Sequence, residues 1–392
     1  MNKIYLDNSA TTRVADEVLQ AMLPYFREEY GNASSIHSFG QRARADLEAA
    51  RGQAAGLLGA DPKEIVFTSG GTESDNMAVR GLAEYRRDRG RHIITTQVEH
   101  HAILNTCRSL EKEGFTVTYL PVTRDGVVDL GQLREAITPQ TTLISVMLAN
   151  NEVGTLQPLR EIVEWAAAQG IVVHTDAVQA VGKVTVNVRD LGVDLLSLSG
   201  HKLHGPKGVG VLYVRKGTKM RPFMLGGPHE RNRRAGTENV PGIIGLGKAC
   251  ELAAAALPFM DREIRALRDR LEATVLAEIV DAQVNGRRAS RVPHISNLSF
   301  LDAEGESLLI SLDLKGIAVS TGSACQSGAL EVSHVLTALK LRPEWLQGSI
   351  RFSLSRYTTA AEVDTALEAL KTVVRRLREM SLPRPRKSES LA

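Results

Sequence analysis

Residues 171–214, IVVHTDAVQAVGKVTVNVRDLGVDLLSLSGHKLHGPKGVGVLYV, contain three short apolar runs separated by polar and glycine-rich segments. The runs IVVHTDAV, DLLSLSG and GVGVLYV each have the length and β-branched composition of a buried strand. Upstream, from about residue 60, similar runs alternate with amphipathic segments of helical length. This alternation predicts an α/β fold around a mostly parallel sheet, with the active site at the carboxyl ends of the strands.

The chain has 392 residues, which is too long for one average hydrophobic core. A long helical region near 241–279 leads to a second group of strands, NLSFL, IAVST and SIRFSLS, and to a final helix. We therefore predict a large domain over 15–260 and a smaller α+β domain formed by 1–14 and 261–380. The polar, proline-containing tail, 381–392, is predicted to be disordered.

The composition is ordinary for a globular protein, with 43% hydrophobic and 24% charged residues, and no apolar run is expected to span a bilayer. The net charge of +3 is distributed among interleaved acidic residues, so neither direct nucleic-acid binding nor a membrane role is expected. The N-terminal segment lacks the apolar region of a secretory signal, which predicts a cytoplasmic protein. Cys107, Cys250 and Cys325 are too few and too scattered for a disulfide framework.

The segment TSGGTESDN, residues 68–76, follows one predicted strand and opens a helix. At such a helix start the backbone N–H groups of Gly71 and Thr72 are free to face an anion, and the helix dipole assists them. The glycine spacing and the ending of a P-loop are absent. Taken alone, the segment is either an ordinary strand-to-helix turn or a phosphate cradle.

Two strand ends carry groups suited to covalent chemistry. Asp176 ends one predicted strand, and a buried carboxylate requires a cation or a strong donor. Lys202 follows the next strand, beside Ser199 and His201, where desolvation lowers a lysine pKa toward the neutral amine that forms an imine. Alone, Lys202 is also compatible with a surface lysine, and His201 with His204 suggests a metal pair, although no third ligand is evident.

The combination favours one cofactor. A phosphate cradle, a buried aspartate and a strand-end lysine on one sheet edge match the requirements of pyridoxal 5'-phosphate for phosphate binding, for a carboxylate on the pyridine nitrogen and for an imine-forming amine. No metal is therefore predicted.

Eight motifs in this order and spacing carry a family resemblance: SGGTES, VEHHAILNTC, ANNEVGTLQP, HTDAVQAVGK, LSLSGHKLHGPKGVGVLY, RRAGTEN, GSACQSG and SIRFSLSRYTT. Together they resemble the NifS-like cysteine desulfurases, a branch of the class V aminotransferase superfamily. The similarity extends from YLDNSATT to the helix after RYTT. It implies pyridoxal-phosphate fold type I, with a sheet of the seven-stranded type flanked by helices, and a homodimer.

By this resemblance, Lys202 is similar to the lysine that forms the imine with the cofactor. Asp176 resembles the partner of the pyridine nitrogen, and Gln179 the donor to the phenolic oxygen. His100 resembles the residue that stacks on the ring and moves protons. The cofactor-binding residues that the resemblance implies are Gly71, Thr72, His100, Asn151, Asp176, Gln179, Ser199, His201, Lys202 and Thr237.

The resemblance also implies roles for groups from other segments. Thr237 resembles a phosphate contact that the other subunit provides. Asn151 and Arg351 resemble the groups that hold the substrate, and the planar guanidinium of Arg351 suits a carboxylate. Cys325, in the small-residue loop STGSACQSGAL, resembles the sulfur-accepting nucleophile. Thr321 and the residue after Cys325 depart from the family pattern, which leaves the resting conformation of the loop open.

The implied reaction converts L-cysteine to L-alanine and leaves sulfur as a persulfide on Cys325, for transfer to an iron–sulfur scaffold or another acceptor protein. A selenocysteine lyase or an aminotransferase would share the cofactor site but differ in sulfur handling. A catalytically inactive docking scaffold would predict the loss of Lys202, Asp176 or Cys325, and all three are present. The sequence leaves nitrogenase-type assembly, housekeeping assembly and tRNA thiolation open as destinations of the sulfur.

Overall fold

The structure is a computed structural model that describes residues 3–321 and 332–380. Its strands are β1 (Ile4–Tyr5), β2 (Ile65–Thr68), β3 (His92–Thr96), β4 (Thr116–Leu120), β5 (Thr141–Ser145), β6 (Val172–Asp176), β7 (Leu195–Ser199), β8 (Gly210–Val214), β9 (Ala282–Val284), β10 (Ile295–Phe300), β11 (Ile317–Ala318) and β12 (Ser349–Ser353). Its helices are α1 (Asp16–Met22), α2 (Ser38–Leu58), α3 (Gly71–Arg86), α4 (His101–Glu111), α5 (Leu130–Ala136), α6 (Leu159–Ala168), α7 (Val188–Leu191), α8 (Val240–Phe259), α9 (Arg265–Glu278), α10 (Gly305–Asp313), α11 (His334–Ala338), α12 (Pro343–Gln347) and α13 (Ala360–Met380).

The largest sheet has seven strands in the order β2-β8-β7-β6-β5-β3-β4. The strands from β7 to β4 are mutually parallel, whereas β8 runs antiparallel to both β7 and β2. The predicted α/β fold with a seven-stranded, mostly parallel sheet is therefore confirmed. The sequence prediction did not include β4, an edge strand whose first residues are partly exposed and whose apolar signal is weak.

The strands inside this sheet are buried along their whole length because helices cover both faces. Parallel strands in such a position consist of nearly continuous apolar and β-branched residues, which is why the sequence pattern identified them. Asp176 is the last residue of β6 and Ser199 the last residue of β7. Both predicted polar groups therefore lie at the carboxyl ends of neighbouring strands.

Two smaller sheets lie outside the seven-stranded one. One pairs β1 with β11, and the other has the order β12-β10-β9. They share an apolar core in which Phe300, Ile350 and Phe352 are completely buried, together with residues of α9 and α13. The pairing of β1 with β11 joins the N-terminal segment to the second half of the chain. The exact division into two domains stays a prediction, and the tail 381–392 lies outside the described residues.

The helical region near the middle of the chain departs from one expectation. The continuous helical stretch Val240–Glu278 is long and apolar enough to cross a membrane by length and composition. The expectation from the sequence that no apolar run could span a bilayer was therefore wrong. A π-helical turn, Met260–Ile264, joins α8 to α9 in this stretch. Here α8 packs against α1 and α2, and core helices of this kind pass the same test. The absence of a membrane role stays a prediction.

Gly210 is required where three backbone segments meet beneath the predicted cradle. A Cβ atom at this position would lie 2.7 Å from Gly70 Cα and 2.7 Å from the Leu198 carbonyl oxygen. Both neighbours are backbone atoms and cannot rotate away. We predict that Gly210→Ala lowers the free energy of unfolding by about 1–3 kcal/mol, the usual effect of overpacking.

The matched control is Gly52→Ala in the interior of α2, where a new Cβ would meet nothing within 4 Å. This substitution is expected to raise stability by about 0.5–1 kcal/mol because alanine favours helix. Urea unfolding followed by circular dichroism compares the two variants. Equal stabilities would contradict the close approach at Gly210.

Candidate active site

The predicted phosphate cradle lies where β2 passes into α3. Gly70, the residue before the helix, has a φ of 153°, which favours glycine, and no side chain caps this helix start. The first N–H groups of a helix have no partner within it. Gly71 and Thr72 supply such groups here, and both residues are at least partly exposed. The buried Ser199 hydroxyl borders the turn, because a Cβ at Gly70 would lie 3.7 Å from its oxygen. The arrangement suits a phosphate.

Lys202 lies in a short 3₁₀ turn, Gly200–Lys202, directly after β7. Its Nζ atom donates to the carbonyl oxygen of Ser9 and, at 2.7 Å, to that of Ala10. Burial lowers the pKa of this amine from 10.5 to about 8; Arg351 lowers it further, while Asp7 and Asp176 oppose the shift. A substantial fraction of the amine is therefore neutral and nucleophilic near neutral pH.

Asp176 is buried, with 6% of its surface exposed. Its Oδ1 atom accepts a hydrogen bond of 2.9 Å from the Val178 N–H. Burial raises the pKa of the carboxyl, and the positive charges of His100 and Lys202 counteract this effect. These electrostatic interactions indicate that the three groups lie close together. A protonated ring nitrogen is the kind of donor that a buried carboxylate in this position requires.

His100 is the N-cap residue of α4, and its Nδ1 atom accepts a hydrogen bond of 3.1 Å from the Ala102 N–H. In the neutral ring this contact leaves the proton on Nε2. The side chain is exposed, yet the protein around it lowers its pKa by desolvation, a combination expected for a ring that lines a cleft. The next residue, His101, is exposed, and the centroid of its ring lies 4.7 Å from that of His334.

The N-terminal segment, 7–12, contacts several of the predicted groups, which the sequence prediction missed. Gln179 donates to the Ser9 carbonyl at 2.9 Å, so it meets Lys202 on the same oxygen. The His201 ring contacts the Thr11 hydroxyl at 3.1 Å. The motif YLDNSATT was noticed, but it was assigned no contact role because its partners are nearly 200 positions away in the chain.

The two residues predicted to bind the substrate, Asn151 and Arg351, are in contact, and their role stays a prediction. Arg351 is 4% exposed and donates to the Asn151 carbonyl at 2.9 Å and to Asp7 Oδ1 at 2.8 Å. Within the described residues, Arg351 Nε and Asn151 Oδ1 are buried without a hydrogen-bond partner. A bound carboxylate and a bound polar group would satisfy them. Asp7 is a further contact that the sequence prediction missed.

A second set of buried polar groups lies around Asp176 and was also missed. Glu99 is completely buried, accepts bonds from Thr96 Oγ1 at 2.8 Å and from the Met147 N–H at 3.0 Å, and its pKa is raised by burial to about 8. Behind it, His174 bridges two serine hydroxyls with its ring nitrogens. The sequence offered one signal for Glu99 and His174, in the motifs VEHH and HTD: each is a polar or ionisable residue beside an apolar run.

The remaining predicted residues have different outcomes. Thr237 is exposed, and its side chain makes no hydrogen bond within the described residues. Cys325 lies outside the described residues. Cys107 and Cys250 are buried, and burial raises the pKa of each thiol to about 12.

The metal alternative receives no support from the geometry of its two histidines. His201 contacts the Thr11 hydroxyl, whereas His204 contacts the Arg13 carbonyl at 3.0 Å. Across residues 3–321 and 332–380, no group of three His, Cys, Asp or Glu side chains is placed to hold a metal ion. The free N–H groups of the cradle, the buried carboxylate and the partly neutral lysine instead fit the three polar ends of pyridoxal phosphate.

The comparisons with known proteins agree with this site. Residues 4–366 match the aminotransferase class-V family, and the chain belongs to that family. The predicted resemblance is confirmed: a cysteine desulfurase IscS from Methanosarcina thermophila is 53% identical over 388 residues, or 99% of this chain and 96% of the relative.

Two solved structures are similar over nearly the whole chain. The structure of a NifS-like protein has a TM-score of 0.90 and 40% identity, and the alignment covers 95% of this chain and 100% of that one. A structure described as SspA in complex with cysteine has a TM-score of 0.80 and 36% identity, covering 91% and 100%.

The environment of Lys202 generates a prediction about pH. In protein freed of any bound aldehyde, acylation of Lys202 should increase through a midpoint near pH 8, since its pKa is lowered to about 8 and only the neutral amine reacts. Arg351→Met removes a positive charge and should raise the midpoint. Asp7→Asn removes a negative charge and should lower it.

Peptide mass spectrometry measures these midpoints. Lys371, whose pKa is raised by hydrogen bonds to Glu278 and Glu368, is the comparison peptide in the same sample. Identical profiles for Lys202 and Lys371 would show that the predicted desolvation is wrong.

Proposed function

We propose that the chain is a pyridoxal-phosphate-dependent cysteine desulfurase that converts L-cysteine to L-alanine. The observation that carries this proposal is the arrangement of a partly neutral lysine, a buried carboxylate and an incompletely satisfied arginine around one cleft: Lys202, Asp176 and Arg351. The name cysteine desulfurase on a relative that is 53% identical supports the reaction. The bound cysteine in a similar structure supports the substrate.

The bound cofactor would withdraw electrons from the substrate Cα, which makes its proton removable. The chain supplies binding and proton transfer. Gly71, Thr72, Ser199 and His201 would hold the phosphate, and Asp176 would keep the ring nitrogen protonated. Lys202 would bind the cofactor, and its amine, when free, would move the Cα proton of the substrate.

Substrate orientation comes from the other side of the cleft. Arg351 binds the substrate carboxylate, because its Nε donor is unpaired while Asp7 and Asn151 hold its Nη atoms. His100 acts as a proton carrier through Nε2, since Nδ1 is occupied by a backbone N–H.

The sulfur step requires a thiolate, for which we propose Cys325. Its sulfur bonds to the sulfur of the substrate, and the bond between that sulfur and the substrate Cβ breaks. The electron pair of the broken bond stays with carbon, which takes up a proton and leaves as alanine. The enzyme retains a persulfide. A selenocysteine lyase or an aminotransferase would not require this thiol.

We further propose a homodimer in which Thr237 completes the phosphate site of the other subunit. The exposure of Thr237 in one chain supports this arrangement. An iron–sulfur scaffold is the proposed acceptor of the persulfide sulfur, with other acceptor proteins as the alternative. A cytoplasmic location stays a prediction.

Cys325→Ala separates cofactor chemistry from sulfur transfer. The variant should bind pyridoxal phosphate, show a visible band that borohydride abolishes, and change its spectrum on addition of L-cysteine, because these steps need no thiol. Alanine production should fall by at least about a hundredfold, since water does not replace a positioned nucleophile.

Cys107→Ala is the control and should retain activity, because this buried thiol has a pKa of about 12. Mass spectrometry should find added sulfur on the peptide that contains Cys325. Near-normal alanine production by Cys325→Ala would eliminate it as the nucleophile, and a wild-type protein that binds no cofactor would contradict the proposal as a whole.

The dimer can be tested by mixing two inactive variants, Lys202→Ala and Thr237→Ala. If subunits share sites, a heterodimer contains one site with both original residues, and activity should return toward about half of the wild-type value per mixed dimer, or about a quarter for a randomly exchanged equimolar mixture. Native mass spectrometry confirms that subunits have exchanged. Exchange without recovery of activity would rule out the shared site.

A further inference from the structure

Residues 230–234, called the strap below, form a strained segment near the phosphate cradle. Glu230, Arg231 and Asn232 have φ values of 46°, 58° and 63°. Consecutive left-handed residues other than glycine are unfavourable, and they persist only where neighbouring contacts hold them.

One end of the strap is bound to the strand that precedes the cradle. The guanidinium of Arg51 forms a buried bidentate pair with Glu230, with both N–O distances 2.8 Å. The same carboxylate accepts the N–H of Phe67, in β2, at 2.9 Å. A buried, bidentate and additionally hydrogen-bonded carboxylate is a rigid anchor, and it fixes Glu230 beside the last residues of β2.

The other end is bound to the helix that follows the cradle. Arg234 Nε donates to Glu73 Oε1 at 2.8 Å, and Nη2 donates to Oε2 at 3.2 Å. Glu73 lies in the first turn of α3, and its Oε2 also accepts the N–H of Ser69 at 2.7 Å. The strap therefore connects both sides of the turn 68–71.

Glu73 places a negative charge close to groups that are suited to an anion. Its side chain is only 9% exposed. Burial would raise its pKa, but the hydrogen bonds from Arg234 and Ser69 outweigh burial and lower it, so the carboxylate is ionised. Such a charge repels a phosphate unless a cation offsets it. Within the described residues, Arg234 is the cation in contact with it.

We propose that Arg234 is a positioning residue for the cofactor phosphate: it neutralises Glu73 and, together with the Glu230 anchor, holds the turn 68–71 in its anion-binding form. This inference rests on the proposed function, because the phosphate in question belongs to pyridoxal phosphate. Thr237 follows Arg234 by three positions, so the strap also supports the residue proposed to reach the other subunit.

The test measures the affinity of cofactor-free protein for pyridoxal 5'-phosphate and for pyridoxal, which lacks the phosphate. Arg234→Met leaves the Glu73 charge uncompensated. It should weaken binding of the phosphate form about tenfold relative to pyridoxal, the size expected for one unscreened charge near a dianion. The double variant Arg234→Met/Glu73→Gln removes both charges and should return to within about threefold of the wild type.

Arg231→Met is the matched control, since within the described residues this exposed arginine of the strap forms an ion pair with the surface residue Glu48 alone, at 3.5 Å. It should leave both affinities unchanged. Equal weakening of both ligands by Arg234→Met, or no recovery in the double variant, would overturn the inference and leave Arg234 a purely structural role. Failure of the wild type to bind pyridoxal phosphate would instead contradict the proposed function and is detected before any variant is compared.

Discussion

The Lys202 amine donates hydrogen bonds to two backbone carbonyl groups rather than to a carboxylate. A direct ion pair would stabilise the ammonium and make it a poor nucleophile, whereas carbonyl oxygens position the nitrogen without fixing its charge. The pKa of about 8 is due mainly to burial of the amine, and the positive charge of Arg351 lowers it further. Because Ser9 and Ala10 supply the oxygens, the N-terminal segment must cross the sheet edge, and it reaches β12 through contacts between Ser9 and Ser353.

The candidate site has separate groups suited to two different anionic parts of a ligand. Free N–H groups and the Ser199 hydroxyl form an end suited to phosphate, and Arg351 forms an end suited to a substrate carboxylate. Asp176 supplies the negative charge between them, and its interaction with Lys202 and His100 offsets part of its own desolvation. A ligand with two anionic ends and a cationic ring would therefore have each of its charged groups next to a protein group of complementary charge or polarity.

The sequence predicted the strands and the strand-end residues because these depend on local patterns. An apolar run that stops at Asp176 is visible in a window of a few residues. The contacts of Asp7 with Arg351 and of Glu73 with Arg234 span 344 and 161 positions. No local feature distinguishes such acidic residues from exposed ones, so only the fold reveals them. Edge strand β4 was missed for a related reason, since its exposed face weakens the apolar pattern.

The thiol chemistry of the chain also follows from burial. Cys107 and Cys250 have pKa values raised to about 12 by their apolar surroundings. At pH 7 a thiol with that pKa is ionised in about one molecule in 10⁵, too rarely to serve as a nucleophile in each turnover. Within the described residues, burial therefore disfavours both Cys107 and Cys250 as sulfur acceptors. The proposal that Cys325 accepts the sulfur therefore has a second argument beside the family resemblance, namely that both other thiols are held in their protonated form by burial.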